Sequence, residues 1–154
     1  MRWNQGREVI ERMLADRQLQ QLPASREHAD RLMAQARRHL LTAQRTADQD
    51  PEAAYSVLYD AARKALVAIL ENQGLRPTSS GGHVAVLEAV SAQLDPPLGP
   101  VLRPFDRMRR RRRDAEYPPV DAPELTAGDV LEDVSKVEQI LQLTERVLDQ
   151  MSPF

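Results

Sequence analysis

Six arginines fall within the seven positions Arg107 to Arg113, broken by Met108 alone, and Asp114, Glu116 and Tyr117 follow at once. Guanidinium groups grip phosphate through forked N–H donors, and neighbouring carboxylates orient the fork as well as neutralising it. Such a set suits recognition of a phosphorylated polyanion, with acids and a phenol at hand for proton transfer. Helical spacing puts Val101, Phe105, Met108, Arg112 and Ala115 on one side. That stripe is apolar until Arg112, and so it should carry this guanidinium to the edge of a packed surface. Arg109, Arg113 and Tyr117 form an adjacent ridge, Glu116 lies beside Arg112 and Arg113, and Pro118-Pro119 stops the helix. The competing reading is a solvated basic face.

The elements around this stretch all read as helix. Val9, Ile10, Met13 and Leu14, with Trp3 ahead of them, form a short amphipathic opening that Leu22-Pro23-Ala24-Ser25 ends. Ser25 is a fair N-cap for a helix carrying Ala29, Leu32, Met33, Ala36, Leu40 and Ala43 at helical spacing, to about Gln49. Asp50-Pro51 then gives a capping carboxylate with proline in the first turn. The helix it opens turns Tyr55, Leu58, Ala62, Ala65, Leu66 and Ile69 inward and ends near Gly74. Tyr55 and Tyr59, one turn apart, either pack in the core or reach a polar partner. Residues 75–82 read as a loop, and His83 opens an apolar helix through Val84, Val86, Leu87 and Val90. Asp95-Pro-Pro-Leu-Gly-Pro100 breaks the chain before the arginine helix. After Pro123, Thr126-Ala-Gly-Asp129 resembles a capping box for a last helix carrying Val130, Val134, Val137, Leu141 and Leu148. Strand-like alternation is absent. The expectation is an all-α antiparallel bundle of four to six helices over residues 25–154, with residues 1–24 as a short helical segment packed on it.

Composition narrows the function classes. With no cysteine, neither a disulfide framework nor a Cys-based zinc site is open to the chain. His28, His39 and His83 do not pair at metal-ligand spacing, so no metal and no cofactor is expected. His28 and His39 sit among charged residues and read as surface histidines. Net charge is −2, but without the clustered arginines the 21 basic residues fall to 15 against 23 acidic ones. One basic patch on an acidic body suggests a localised anionic ligand rather than general coating of nucleic acid. No apolar run approaches membrane-spanning length and the opening residues lack a signal-peptide core, so a cytoplasmic protein with no membrane partner is expected.

Thr78-Ser-Ser-Gly-Gly-His83 could offer backbone amides to a phosphate at a helix start, or serve simply as a connection with a cap. No Walker lysine-serine pair and no dinucleotide fingerprint accompanies it, so nucleotide hydrolysis has no support. His83 stands out because it follows two glycines where the chain could face the arginines.

Tyr55-Ser-Val-Leu-Tyr-Asp-Ala-Ala-Arg-Lys-Ala-Leu66, then Gly81-Gly-His83, then the arginine helix ending Arg113-Asp-Ala-Glu-Tyr-Pro118, together resemble the HEPN superfamily. The resemblance covers roughly Ala29 to Met151. It implies a small helical bundle of the kind found in prokaryotic toxin–antitoxin pairs, phage defence and RNA-cleaving proteins. In RNA-cleaving members an arginine and a polar residue are followed, after a short spacer, by a histidine, and two copies meet across a dimer. Carried over, Arg113 and Asp114 match the arginine and the polar residue, with Arg112 an alternative for the arginine. The histidine position falls near Tyr117, a departure that matters because a phenol with a pKa of about 10 is a poor base at neutral pH. Arg76 and His83 also fit an arginine–spacer–histidine pattern, but in a Pro/Gly loop rather than the family's helix.

The resemblance implies a homodimeric, metal-independent endoribonuclease. Arg109, Arg110 and Arg112 would hold RNA phosphates, Arg113 and Asp114 would carry the motif, and Glu116, Tyr117 or His83 would act on the ribose. The alternative is a non-catalytic module that binds RNA or nucleotide, or that partners a cognate antitoxin or a nucleotidyltransferase, with Tyr117 a target of modification.

Overall fold

A computed structural model describes residues 3–154. Its helices are α1 (Arg7–Ala15), α2 (Arg26–Thr46), α3 (Pro51–Gln73), α4 (Gly82–Leu94), α5 (Gly99–Leu102), α6 (Pro104–Glu116) and α7 (Ala127–Leu148). The predicted caps are in place. Ser25 accepts from the His28 amide at 3.1 Å, Asp50 from Ala53 at 3.2 Å, and Thr126 and Asp129 cap each other reciprocally. The chain is all-α, built as a helical bundle.

The central element is α3, which packs on α2, α7, α6 and α4. Its sequence explains that position. Alanines at 54, 61, 62, 65 and 68 are fully buried, and they let neighbouring helices approach on several sides. Burial on most of its circumference leaves little amphipathic contrast, as a central helix requires. The first helix joins the same core through Ile10 and Met13, both fully buried.

The structure departs from expectation in two places. Leu19–Gln21 (β1) and Leu75–Pro77 (β2) form an antiparallel ribbon, with Leu19 opposite Pro77 and Gln21 opposite Leu75. Three-residue strands are too short to show alternation, and their pairing is set by tertiary contact: Leu19 and Leu75 are both buried. Gly74 makes the join possible. It ends α3 at φ 82°, a left-handed turn, and a β-carbon there would strike the Leu22 carbonyl. The break after Asp95 also differs from expectation, because Gly99–Leu102 make one helical turn before α6.

Candidate functional site

Phe105 and Met108, both fully buried, press α6 onto the bundle, and Phe105 stacks on Tyr59 with ring centroids 5.2 Å apart. With those two facing inward, the helical phase sorts the arginines onto three faces.

Arg107 and Arg111 turn towards α7. Arg107 Nη2 donates to Asp133 Oδ1 at 2.8 Å, and Arg111 Nη1 lies 3.4 Å from Oδ2. The Tyr55 hydroxyl donates to the same carboxylate at 2.7 Å, and Lys136 Nζ is 3.3 Å away. Asp133 has no exposed surface. Burial alone would push its carboxyl up, but hydrogen bonds from Arg107, Tyr55 and Lys136, with the Arg107 charge, outweigh burial and hold it below the usual range. Burial and the adjacent Asp133 push the Tyr55 phenol up, so it stays protonated. This is a structural lock between α3, α6 and α7, and its arginines are already committed.

Arg109 and Arg112 turn towards α4. The Arg112 guanidinium sits 5.4 Å from the centroid of the Tyr59 ring, its Nη2 lies 3.0 Å from Glu116 Oε1, and its Nε is buried with no hydrogen-bond partner. The Tyr59 hydroxyl is 2.7 Å from His83 Nδ1, and burial raises the phenol's pKa although Arg63, Arg112 and Arg109 oppose the shift. Tyr59 therefore keeps its proton, and where it donates that proton to Nδ1 the neutral imidazole carries its own on Nε2. Burial, then the charges of Arg63 and Arg112, hold His83 below its ordinary value. The outcome is a neutral histidine with an N–H to offer among cations.

Arg110 and Arg113 face outward, 58% and 64% exposed at the side chain. Arg110 reaches Asp106 at 3.5 Å and Arg113 reaches Asp114 at 3.7 Å. With Arg107, Arg111 and Asp114 they border a shallow groove of about 420 Å³.

Of the residues singled out in sequence, the structure thus groups Arg109, Arg112, Glu116 and His83. It sets Arg110, Arg113 and Asp114 on the outer face. Tyr117 lies past the end of α6 with φ −130° and is 77% exposed, so it does not continue the Arg109–Arg113 ridge. Proline at 118 forces the residue before it out of helical geometry. His39 is not a simple surface residue either, for its Nε2 lies 2.7 Å from Lys64 Nζ. Sequence reading missed Asp133 as a partner for the arginines. Its signal was there: it stands three residues after Val130 on the apolar stripe of α7.

The HEPN domain family matches residues 29–150 of the chain. The chain belongs to the HEPN family. No curated protein and no solved structure gave a match. Membership is consistent with a nuclease or a nucleotide-binding module. No helix of this HEPN domain, among the described residues, is long and apolar enough to cross a membrane.

Proposed function

We propose that this HEPN domain binds RNA through a phosphate site made by Arg109, Arg112 and His83. One observation carries the reading: the Arg112 guanidinium, fixed over Tyr59 and held by Glu116, stands beside His83, whose ring the same Tyr59 anchors through Nδ1. Both groups are donors held in place before any ligand arrives, which suits an anionic oxygen. Arg109 adds charge while its own Asp106 partner, 3.1 Å away, steadies it.

The same site supports metal-independent cleavage of RNA by a homodimer. Breaking the phosphodiester requires a base for the ribose 2′-hydroxyl, an acid for the leaving oxygen and cations for the charge that builds on phosphorus. Glu116, hooked to Arg112, is the base in this reading. His83 stabilises the phosphorane as a donor, and Arg112 and Arg109 hold its charge. The leaving oxygen then takes its proton from water or from the second protomer. The test is incubation of the pure protein with tRNA and mRNA, with and without EDTA. Cleavage that survives chelation and is lost in Arg112→Ala supports the reading. Intact RNA in the presence of measurable binding limits the protein to recognition.

The exposure of Tyr117 favours a second reading, in which a nucleotidyltransferase modifies this phenol. A mass increment on Tyr117 after co-expression with such an enzyme, absent in Tyr117→Phe, would decide for it.

A further inference from the structure

Beyond α6, positive charge continues across the bundle. Arg63 on α3 faces His83, and it also faces His39 on α2, as Asp60 does. Lys64, the next residue along, places its ammonium 2.7 Å from His39 Nε2, and Arg38 stands exposed beside it on α2. Several guanidiniums of this surface are matched to acids, Arg12 with Glu88, Arg31 with Glu27, Arg37 with Glu138 and Glu145. Arg38 and Lys64 are not, and they stand together around His39.

Asp60 is the carboxylate at hand, and its Oδ1 lies 3.5 Å from Arg63 Nε, a long and half-exposed pair. The Lys64 ammonium donates to an imidazole instead of an acid. Burial, then the Lys64 charge, hold that imidazole below its ordinary value, so it accepts the hydrogen bond without adding charge of either sign. Among the described residues, no carboxylate lies within ion-pair distance of Arg38 or Lys64. The row from Arg112 through Arg63 to Lys64 and Arg38 sets four cations against the two carboxylates Glu116 and Asp60.

We propose that this row is the path of an RNA strand, with Arg63, Lys64 and Arg38 taking the phosphates that follow the one held by Arg112 and His83. The inference rests on the phosphate site proposed above and names its ligand as a single strand several nucleotides long. Cations strung across several helices match successive phosphates of an extended chain, whereas a mononucleotide would use one end of the row.

The experiment is fluorescence anisotropy over a salt series, with a labelled uridine dinucleotide and an oligouridylate of about ten nucleotides. The longer RNA should bind tighter to the wild type. The Arg38→Ala/Lys64→Ala double variant should bind the dinucleotide unchanged and the long strand about tenfold more weakly, with a salt slope smaller by about 1.4, roughly 0.7 per lost contact. Arg38→Ala alone, at an exposed position, gives half that change and keeps the test alive if the double variant does not fold. Equal affinity for both lengths, or variants that bind as the wild type does, overturns the strand path and leaves the phosphate site standing. Binding of neither RNA removes both. An acidic peptide bound with the same dependence on Arg38 and Lys64 would assign the row to a protein partner and also overturn the inference.

Discussion

Arg112 and Arg113 are neighbours in sequence, and a ligand would find them in opposite states. Arg113 is largely exposed and only loosely paired with Asp114, while Arg112 is held by Glu116, by the Tyr59 ring and by burial of its Nε. An immobilised guanidinium loses less freedom when it binds, so Arg112→Ala should weaken RNA binding about 10- to 100-fold and Arg113→Ala by less than about threefold. Arg112→Lys should not restore binding, because an ammonium lacks the planar fork. Anisotropy titrations, with melting curves to confirm folding, decide this; equal losses at both positions would remove the distinction. Tyr59 makes a sharper case. Its hydroxyl bonds the neutral ring of His83, so Tyr59→Phe should let the His83 pKa rise towards its ordinary value. A ¹⁵N-resolved titration of the imidazole reads both that shift and the wild-type tautomer. Neutral His83 protonated on Nδ1 would show that Tyr59 accepts instead, and would make His83 a base.

The placement of α6 depends on a carboxylate with no exposed surface. Asp133 joins Tyr55 on α3 to Arg107 and Arg111 on α6, with Lys136 beside it on its own helix. Asp133→Ala should therefore cost about 1–3 kcal/mol, because it leaves the buried Tyr55 hydroxyl without its acceptor and removes the carboxylate that three partly exposed cations share. The sign of the pH effect follows from the depressed carboxyl. The unfolded chain binds a proton here before the folded one does, so this stabilisation is complete above a pH of about 4 and is lost as pH falls through the lower folded value. Acid denaturation of Asp133→Asn should lack that step; an unchanged acid limb would show that Asp133 does not govern it. The three long helices were legible because each carries its own punctuation: Ser25, Asp50-Pro51 with Gly74, and the Thr126–Asp129 box. What was not legible depends on residues far apart in the chain. Leu19 meets Pro77 through a pairing that no local pattern announces, and Asp133 reads as one more surface acid until the α7 stripe is drawn through it. The site was half legible for the same reason. Spacing brought Arg112 to the edge of the core, but no spacing rule could place α4 so that His83 met Tyr59.

At the scale of the whole molecule, a homodimer joined through the arginine helix would be constrained by that helix's charges. Two copies of α6 brought together would set Arg110 and Arg113 of one protomer against those of the other, with exposed guanidiniums at close range. Such an interface needs negative charge between the helices. Glu116 is engaged by Arg112 inside its own protomer, and Asp106 is shared between Arg109 and Arg110. Asp114 is the carboxylate with capacity left, half exposed and only loosely tied to Arg113 at 3.7 Å. Self-association should therefore be weak in the absence of anions and should strengthen with inorganic phosphate or short RNA, as sedimentation velocity would record. Asp114→Asn should make the dimer depend on the anion altogether, whereas Arg113→Ala should relieve the repulsion and strengthen association without phosphate. A dimer of the same strength in all three proteins, indifferent to phosphate, would move the interface off α6. The RNA site of each protomer would then have to work alone.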